Sequence, residues 1–166
     1  MKKPVKLSAE IVKPLLERLD DEYTAFAFYR DASNYLRGIG FFTAADYFAK
    51  ESADELTHAK IIENYIVDWN VHPKLPSVDA QNNGFKGLID VIEKAYSIEF
   101  SLYEMYEETT MDIFKKGDTC TFFFLAQFNE FQRKAVAEYS DMLNLLDGVE
   151  DEKCDLLLLE EKIFGE

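Results

Sequence analysis

Phe41-Phe-Thr-Ala-Ala45-Asp-Tyr-Phe48-Ala-Lys-Glu-Ser52-Ala-Asp-Glu55-Leu-Thr-His58-Ala59-Lys-Ile-Ile62-Glu-Asn-Tyr-Ile66-Val-Asp-Trp69 is the stretch on which the fold turns. Phe41, Ala45, Phe48, Ser52, Glu55, Ala59, Ile62, Ile66 and Trp69 step by four and three, the spacing of one helix face. Glu55 stands in the middle of that face, where a core side chain belongs. A buried carboxylate without a partner is costly, so something must sit opposite it. Glu55 and His58 also form an E-x-x-H element. Residues three apart share a helix face, and a carboxylate beside an imidazole there can grip one hard or borderline metal ion.

The rest of the chain repeats the pattern. A first helix, about 9–36, opens after Ser8 and ends before Gly38 and Gly40, with the stripe Ile11, Leu15, Leu19, Glu22, Phe26 or Ala25, Tyr29, Ala32, Leu36. The second, about 43–69, follows so short a turn that the two must run antiparallel. Thr43 with Asp46 makes a capping box for it, and Pro73 and Pro76 forbid its continuation. Residues 70–84 read as an extended link. The second helix is about 40 Å long at 1.5 Å per residue, and fifteen extended residues reach roughly 50 Å. The link can therefore travel the length of a bundle and start the third helix parallel to the second, as in bundles with one long crossover. His72 in this link reads as a solvent-facing turn residue.

The third helix, about 85–116, carries Leu88, Ile92, Ala95, Glu99, Leu102, Tyr106, Thr109 and Ile113. The fourth, about 119–146, carries Thr121, Leu125, Phe128, Gln132, Ala135, Tyr139, Met142 and Leu146. A short last helix, about 151–164, contains Leu156 to Leu159, Ile163 and Phe164. That is more apolar surface than one small helix can bury on its own bundle, and it points to contacts between subunits.

Glu22, Glu55, Glu99 and Gln132 thus each occupy a core stripe near the midpoint of a different helix. In a bundle of similar-length helices the four meet at one level. A satisfied hydrogen-bond network is one account of such a layer. Three carboxylates in low dielectric need counter-charge, however, and neither Lys nor Arg stands in the stripes at that level. A metal supplies it, and carboxylate-rich, imidazole-poor ligation favours iron or manganese. One bridging carboxylate suits a pair of ions.

Composition excludes other classes. A net charge of -14 over 166 residues disfavours nucleic acid or an anionic membrane as partner and favours cations. Cys120 and Cys154 set no disulfide framework, which fits a reducing compartment. No apolar leader follows Met1 and no long uncharged run occurs, so a cytoplasmic chain is expected.

Glu22, Tyr29, Glu55-x-x-His58, Glu99 and Gln132 resemble the ferroxidase constellation of the non-haem ferritins, over essentially the whole chain. The resemblance implies an all-α, ferritin-like four-helix bundle with one long crossover and a short fifth C-terminal helix, spanning residues 1–166 as a single domain. It implies a homo-oligomeric 24-mer of octahedral symmetry that oxidises Fe(II) with O2 or H2O2 and stores a ferric oxide mineral core. By the same resemblance Glu22 and His58 hold a first iron, Glu55 bridges, Glu99 holds a second, and Gln132 beside it orients oxygen or water. Tyr29 bonds to the glutamate shell and donates an electron.

Departures refine the expectation. Many bacterial members carry a glutamate three residues after the glutamine. Ala135 stands there instead, as in animal catalytic subunits, leaving the second iron loosely held. No second E-x-x-H and no Cys-x-x-Cys pair occur, which argues against bacterioferritin-like and rubrerythrin-like chains, and no haem is expected. Glu51, Asp54 and Glu130 flank the layer as possible accessory iron ligands, although an ordinary solvated acid is the plainer role of each. Cys120 reads as a small buried filler, and Asp118 as a substitute for channel acids at the start of the fourth helix. A non-catalytic shell subunit would be expected to lack Glu55 or His58. A di-iron oxidase of an organic substrate would be expected to bring a second histidine and a substrate pocket. A DNA-protecting mini-ferritin would place its ligands at a subunit interface.

Overall fold

The computed structural model describes residues 3–150 and 152–165, and among these every regular element is a helix. In chain order they are α1 Ala9–Ile39, α2 Phe42–Asp68, α3 Leu88–Lys115, α4 Thr119–Leu146 and α5 Lys153–Phe164. The long helices pack as two hairpins, α1 with α2 and α3 with α4, and α1 also lies against α3. Extended chain from Val71 to Lys86 joins the hairpins, so the single long crossover expected from the two prolines is present, with Pro73 buried and His72 exposed. No described helix is long and apolar enough to cross a membrane.

Helix ends differ from expectation in ways that have causes. α1 does not stop before Gly38 but runs through it to Ile39, because the left-handed residue that ends the helix is Gly40 (φ 92°). The Gly40 and Phe41 N–H groups close that end on the Arg37 and Leu36 carbonyls. The Thr43/Asp46 capping box is not formed: Phe41 is the N-cap residue, and Asp46 instead pairs with Arg37. The free N–H of Ala44 is taken by the Glu160 carboxylate of α5, at 2.8 Å. A carboxylate from a helix distant in sequence thus satisfies and charge-complements the α2 N-terminus. α3 starts at Leu88 rather than Phe85, since the Asp90 side chain accepts from Lys86 N–H just ahead of the helix. α4 opens as expected, with Asp118 capping Thr121 N–H.

The leucine run of α5 divides. Leu156 and Phe164 are buried in the bundle's own core and Leu159 and Ile163 pack against it, whereas Leu157 and Leu158 face outward. The bundle therefore covers more of this helix than its composition suggests. The expected start at residue 151 lies outside the described residues. Cys120 is exposed, not a buried filler.

The core falls into two apolar clusters. One gathers Phe28, Tyr29, Leu36, Phe48, Ile92, Tyr139 and the α5 residues; the other gathers Leu15, Leu19, Ile62, Tyr106, Leu125 and Phe128. Between them in sequence lie Glu22 on α1, Glu55 on α2 and Gln132 on α4, while Glu99 on α3 sits between Ala95 and Leu102 of the first cluster.

Candidate metal centre

Helical register puts these four side chains inside. Glu22 is 0% exposed, Glu55 5%, Glu99 1% and Gln132 1%. Glu22, Glu55 and His58 come together: each offers a ligand atom, and these atoms all lie within 4.8 Å of one another. His58 Nδ1 is 3.1 Å from Glu55 Oε2 and 3.5 Å from Glu22 Oε2, the latter too long for a good hydrogen bond. The imidazole is held flat against Phe131 (5.1 Å between centroids, 6°) with Phe128 edge-on to it. Phe131 and Phe128 of α4 thus hold the ring in place.

Two phenols hold the outer oxygens. The Tyr106 hydroxyl donates to Glu22 Oε1 and the Tyr29 hydroxyl donates to Glu99 Oε1. The remaining oxygens Glu22 Oε2 and Glu99 Oε2, together with Gln132 Oε1, are buried and make no hydrogen bond. Bare buried acceptors are rare because each forfeits its hydration, so these three, with the Glu22, Glu55 and His58 group that does not include Glu99, make a donor set suited to a cation. Ligand atoms gathered this closely need only small side-chain movements to reach the about 2.1 Å metal–ligand distances of a divalent ion.

Electrostatics agree. Burial pushes Glu55 well above the usual carboxylate range, opposed by its bond to His58 and reinforced by Glu22. Burial likewise carries Glu99 up to about 7, against the bond from Tyr29 and with the charge of Glu22 adding to it. For His58 burial works against the charged ring, but Glu22 and Glu55 outweigh it and push the imidazole up to about 10. The metal-free site thus holds extra protons, as a site built for positive charge must.

The flanking acids separate. Glu130 is exposed and clasped by Arg133 in two bonds of 2.8 and 2.9 Å, with Lys134 nearby, which holds its carboxyl down at about 2. Asp54 is exposed. Glu51 is no solvated acid: it is half-buried, and burial with the charges of Glu138 and Glu99 carries it up to about 8. A cation does stand near the layer: Arg18, one turn before Glu22, is buried, bonded to Thr109 at 3.0 Å and paired with Asp21 at 2.7 Å. It sits over the Tyr106 ring, not among the ligand oxygens.

Tyr106, Tyr139 and Tyr47 were not singled out by sequence reasoning. A signal was available. Tyr29, Tyr106 and Tyr139 each stand seven residues, two helical turns, after Glu22, Glu99 and Gln132 respectively.

Comparison with known proteins places the fold. A family model described as the ferritin-like domain matches residues 12–149. The bacterial non-heme ferritin of Campylobacter jejuni is 25% identical over 157 residues, covering 95% of this chain and 94% of its own. That of Staphylococcus haemolyticus is 23% identical over 156 residues, covering 94% and 93%. Among solved structures, the open pore ferritin of the hyperthermophilic archaeon Archaeoglobus fulgidus superimposes with a TM-score of 0.90 at 19% identity, over 96% of this chain and 98% of that one. A closed form of the same ferritin, engineered by site-directed mutagenesis, gives 0.90 over 97% and 98%. At such identities the structural likeness is one of fold.

Proposed function

The chain belongs to the ferritin-like domain family, and from that premise we propose that it is a ferritin subunit that oxidises Fe(II) at paired sites inside its own bundle and stores the ferric product as a mineral in a multimeric cage. The observation that carries this reading is the close group of Glu22, Glu55 and His58 together with the bare buried oxygens Glu22 Oε2, Glu99 Oε2 and Gln132 Oε1. Fe(II) is the substrate. Glu22 and His58 take the first ion, Glu55 bridges, and Glu99 takes the second, with the Gln132 carbonyl oxygen beside it to order O2 or water. Three carboxylates offset most of the charge of two divalent ions, and hard oxygen donors favour the ferric product. Each ion gives up one electron. The pair supplies the two that, with two protons from solvent, convert O2 to H2O2, or H2O2 to two waters.

The residues around the pair have separable tasks. Tyr106 and Tyr29 fix the outer oxygens of Glu22 and Glu99 so that the inner ones face the ions. Tyr29 is also placed to give an electron to the oxidant while its proton passes to Glu99. Phe128 and Phe131 shield the His58 side from water. No ligand oxygen is contributed at 135, so the second ion is held by Glu99, Glu55 and solvent, and leaves for the mineral after oxidation. In the assembled 24-mer of octahedral symmetry, the outward Leu157 and Leu158 of α5 are covered by other subunits.

Two measurements test the proposal together. Light scattering with iron analysis is expected to give a particle of about 460 kDa, 24 chains of 19.2 kDa, holding many irons per chain. Anaerobic titration is expected to show close to two Fe(II) per chain, and Glu55→Ala to abolish fast oxidation. A Glu55→Ala variant that oxidises Fe(II) at the parent rate would overturn the assignment.

A further inference from the structure

A buried phenol loses an electron easily only when a base beside it takes the proton, because the alternative is an uncompensated buried cation. Next to the centre, α1, α2 and α4 bring three tyrosines into one stack, each with its own base. The Tyr29 ring lies parallel to that of Tyr139 (6.3 Å between centroids, 8°), and Tyr139 meets Tyr47 edge-on (6.4 Å, 85°). Phe48 packs against all three. The Tyr29 hydroxyl donates to Glu99 and that of Tyr47 to Glu138 at 2.9 Å, while that of Tyr139 faces Glu51 Oε2 at 3.5 Å, a long contact that closes when the proton moves.

The series has a direction. Tyr29 and Tyr139 are fully buried. Tyr47 is half-buried and lines an open surface cavity of about 450 Å³, whose walls also carry Asp46, Lys50, Glu138 and Glu161. We propose that Tyr47, Tyr139 and Tyr29 form a relay that carries single electrons from Fe(II) arriving at this cavity to the oxidant at the metal centre, with Glu138, Glu51 and Glu99 holding the protons in transit. The relay presupposes the ferroxidase centre proposed above.

The steps balance. The oxidant takes one electron from Tyr29, whose O–H bond breaks as the proton goes to Glu99. Tyr139 then gives an electron to the Tyr29 radical and its proton to Glu51, while Glu99 returns its proton to Tyr29. Tyr47 repeats this toward Tyr139, its proton going to Glu138. Fe(II) at the cavity finally reduces the Tyr47 radical, which takes its proton back from Glu138. The net result is one Fe(II) converted to Fe(III) at the surface and one electron delivered inside, with the relay unchanged. Two passages add two electrons to the two from the metal pair. With four protons, O2 then reaches two waters without release of H2O2.

A phenol–carboxylate pair alone is not enough for this role. Tyr23 also donates to a carboxylate, Glu63, at 2.6 Å, but has no ring contact with the stack, so Tyr23→Phe is a matched control. The test adds excess Fe(II) to the cage in air-saturated buffer. Fe(II) oxidised, O2 consumed and H2O2 released are recorded, and tyrosyl radical is followed by freeze-quench electron paramagnetic resonance. In the parent and in Tyr23→Phe we expect about four Fe(II) per O2 and a short-lived radical. In Tyr139→Phe and Tyr47→Phe we expect the ratio to fall towards two with H2O2 appearing, and the Tyr29 radical in Tyr139→Phe to persist several-fold longer. Parent-like ratios and radical lifetimes in both variants would overturn the relay. So would a parent that binds and oxidises two Fe(II) per chain yet already gives a ratio of two and no radical, while leaving the centre intact. A parent that does not oxidise two bound Fe(II) would overturn the centre and the relay with it.

Discussion

Tyr106 on α3 donates its hydroxyl proton to Glu22 Oε1 on α1, and both side chains are wholly buried. The phenol is itself fixed, stacked on Phe128 (5.2 Å, 5°) and lying under the Arg18 guanidinium at 5.7 Å. One oxygen of Glu22 is thereby committed and the other left to face His58. This is a ligand oriented by a second residue that never touches the metal, the arrangement common around metal sites.

Tyr106→Phe keeps the ring and removes only the donor. Leaving a buried acceptor without its donor costs about 1–3 kcal/mol, so the metal-free variant is expected to lose roughly that much stability, read as a lower urea midpoint. Fe(II) affinity at the Glu22/His58 position is expected to fall about tenfold or more by anaerobic calorimetry. An unchanged midpoint together with unchanged affinity would show that Glu22 is oriented by something other than Tyr106.

The protons held by the empty centre set a pH dependence. Unfolded glutamates ionise near 4.5, whereas burial raises Glu99 to about 7 and, with Glu138 and Glu99 adding, Glu51 to about 8. Unfolded histidine ionises near 6.5, whereas His58, pulled down by burial but more strongly raised by Glu22 and Glu55, stands at about 10. In each case the folded chain binds more protons, so metal-free stability falls as pH rises, most of all between about 5 and 8. Glu130 is shifted the other way by its bond to Arg133, but it titrates below that window. Metal must displace the same protons, so its stabilising effect grows with pH over the same range. Thermal unfolding at several pH values is expected to show the metal-free midpoint falling and the Zn(II)-dependent increase rising, with Glu51→Gln flattening the metal-free slope. A metal-free midpoint that climbs from pH 5 to 8 would contradict this.

The layer at Glu22, Glu55, Glu99 and Gln132 was legible because a polar residue in a strict four–three stripe is a conflict that the sequence itself displays. Helix number, the hairpin turn and the crossover were legible for the same kind of reason, since Gly40, Pro73 and Pro76 act locally. What was not legible depends on rotation between helices. Tyr106 and Tyr139 stand in their stripes like ordinary core residues, and only packing aims their hydroxyls at Glu22 and Glu51. Glu51 lies at the stripe's edge, so its burial is decided by Tyr139 and Glu138 on α4. Glu160 belongs to the short last helix, and nothing near it in sequence indicates that it ends on Ala44 N–H.

That last contact makes α5 part of the bundle's stability and not only of its assembly. Glu160→Ala removes the partner of a buried N–H at a helix start, where loss of a cap costs about 1 kcal/mol. Glu160→Gln keeps an acceptor and loses only the charge, so it is expected to cost a few tenths. Removing residues 151–166 also uncovers the surface packed against Leu156 and Phe164. The truncated chain is expected to stay helical by circular dichroism with a clearly lower urea midpoint, together with weaker cage assembly. Equal midpoints for Glu160→Ala and the parent would show that water replaces the carboxylate at Ala44 without loss.

Ala135 bears on how the second ion is released. It lies one turn after Gln132 on α4 and is half-buried, so a carboxylate placed there shares the face from which Gln132 Oε1 points bare into the layer. The methyl group that stands there contributes no oxygen. Fewer protein oxygens mean a looser hold and less negative charge to stabilise a ferric product. Unequal affinities are therefore expected, with the Glu22/His58 ion the tighter. Ala135→Glu should tighten the second ion about tenfold or more by anaerobic calorimetry, and slow the recovery of fast oxidation between successive small additions of Fe(II). The new carboxylate also adds a fourth acid to the metal-free layer, so the same variant should be less stable without metal and gain more from Zn(II). Two equally tight ions in the parent, or an Ala135→Glu variant that binds and recovers as the parent does, would show that another side chain completes the second position. Glu51, half-buried and one turn from Glu55, is then the first to replace.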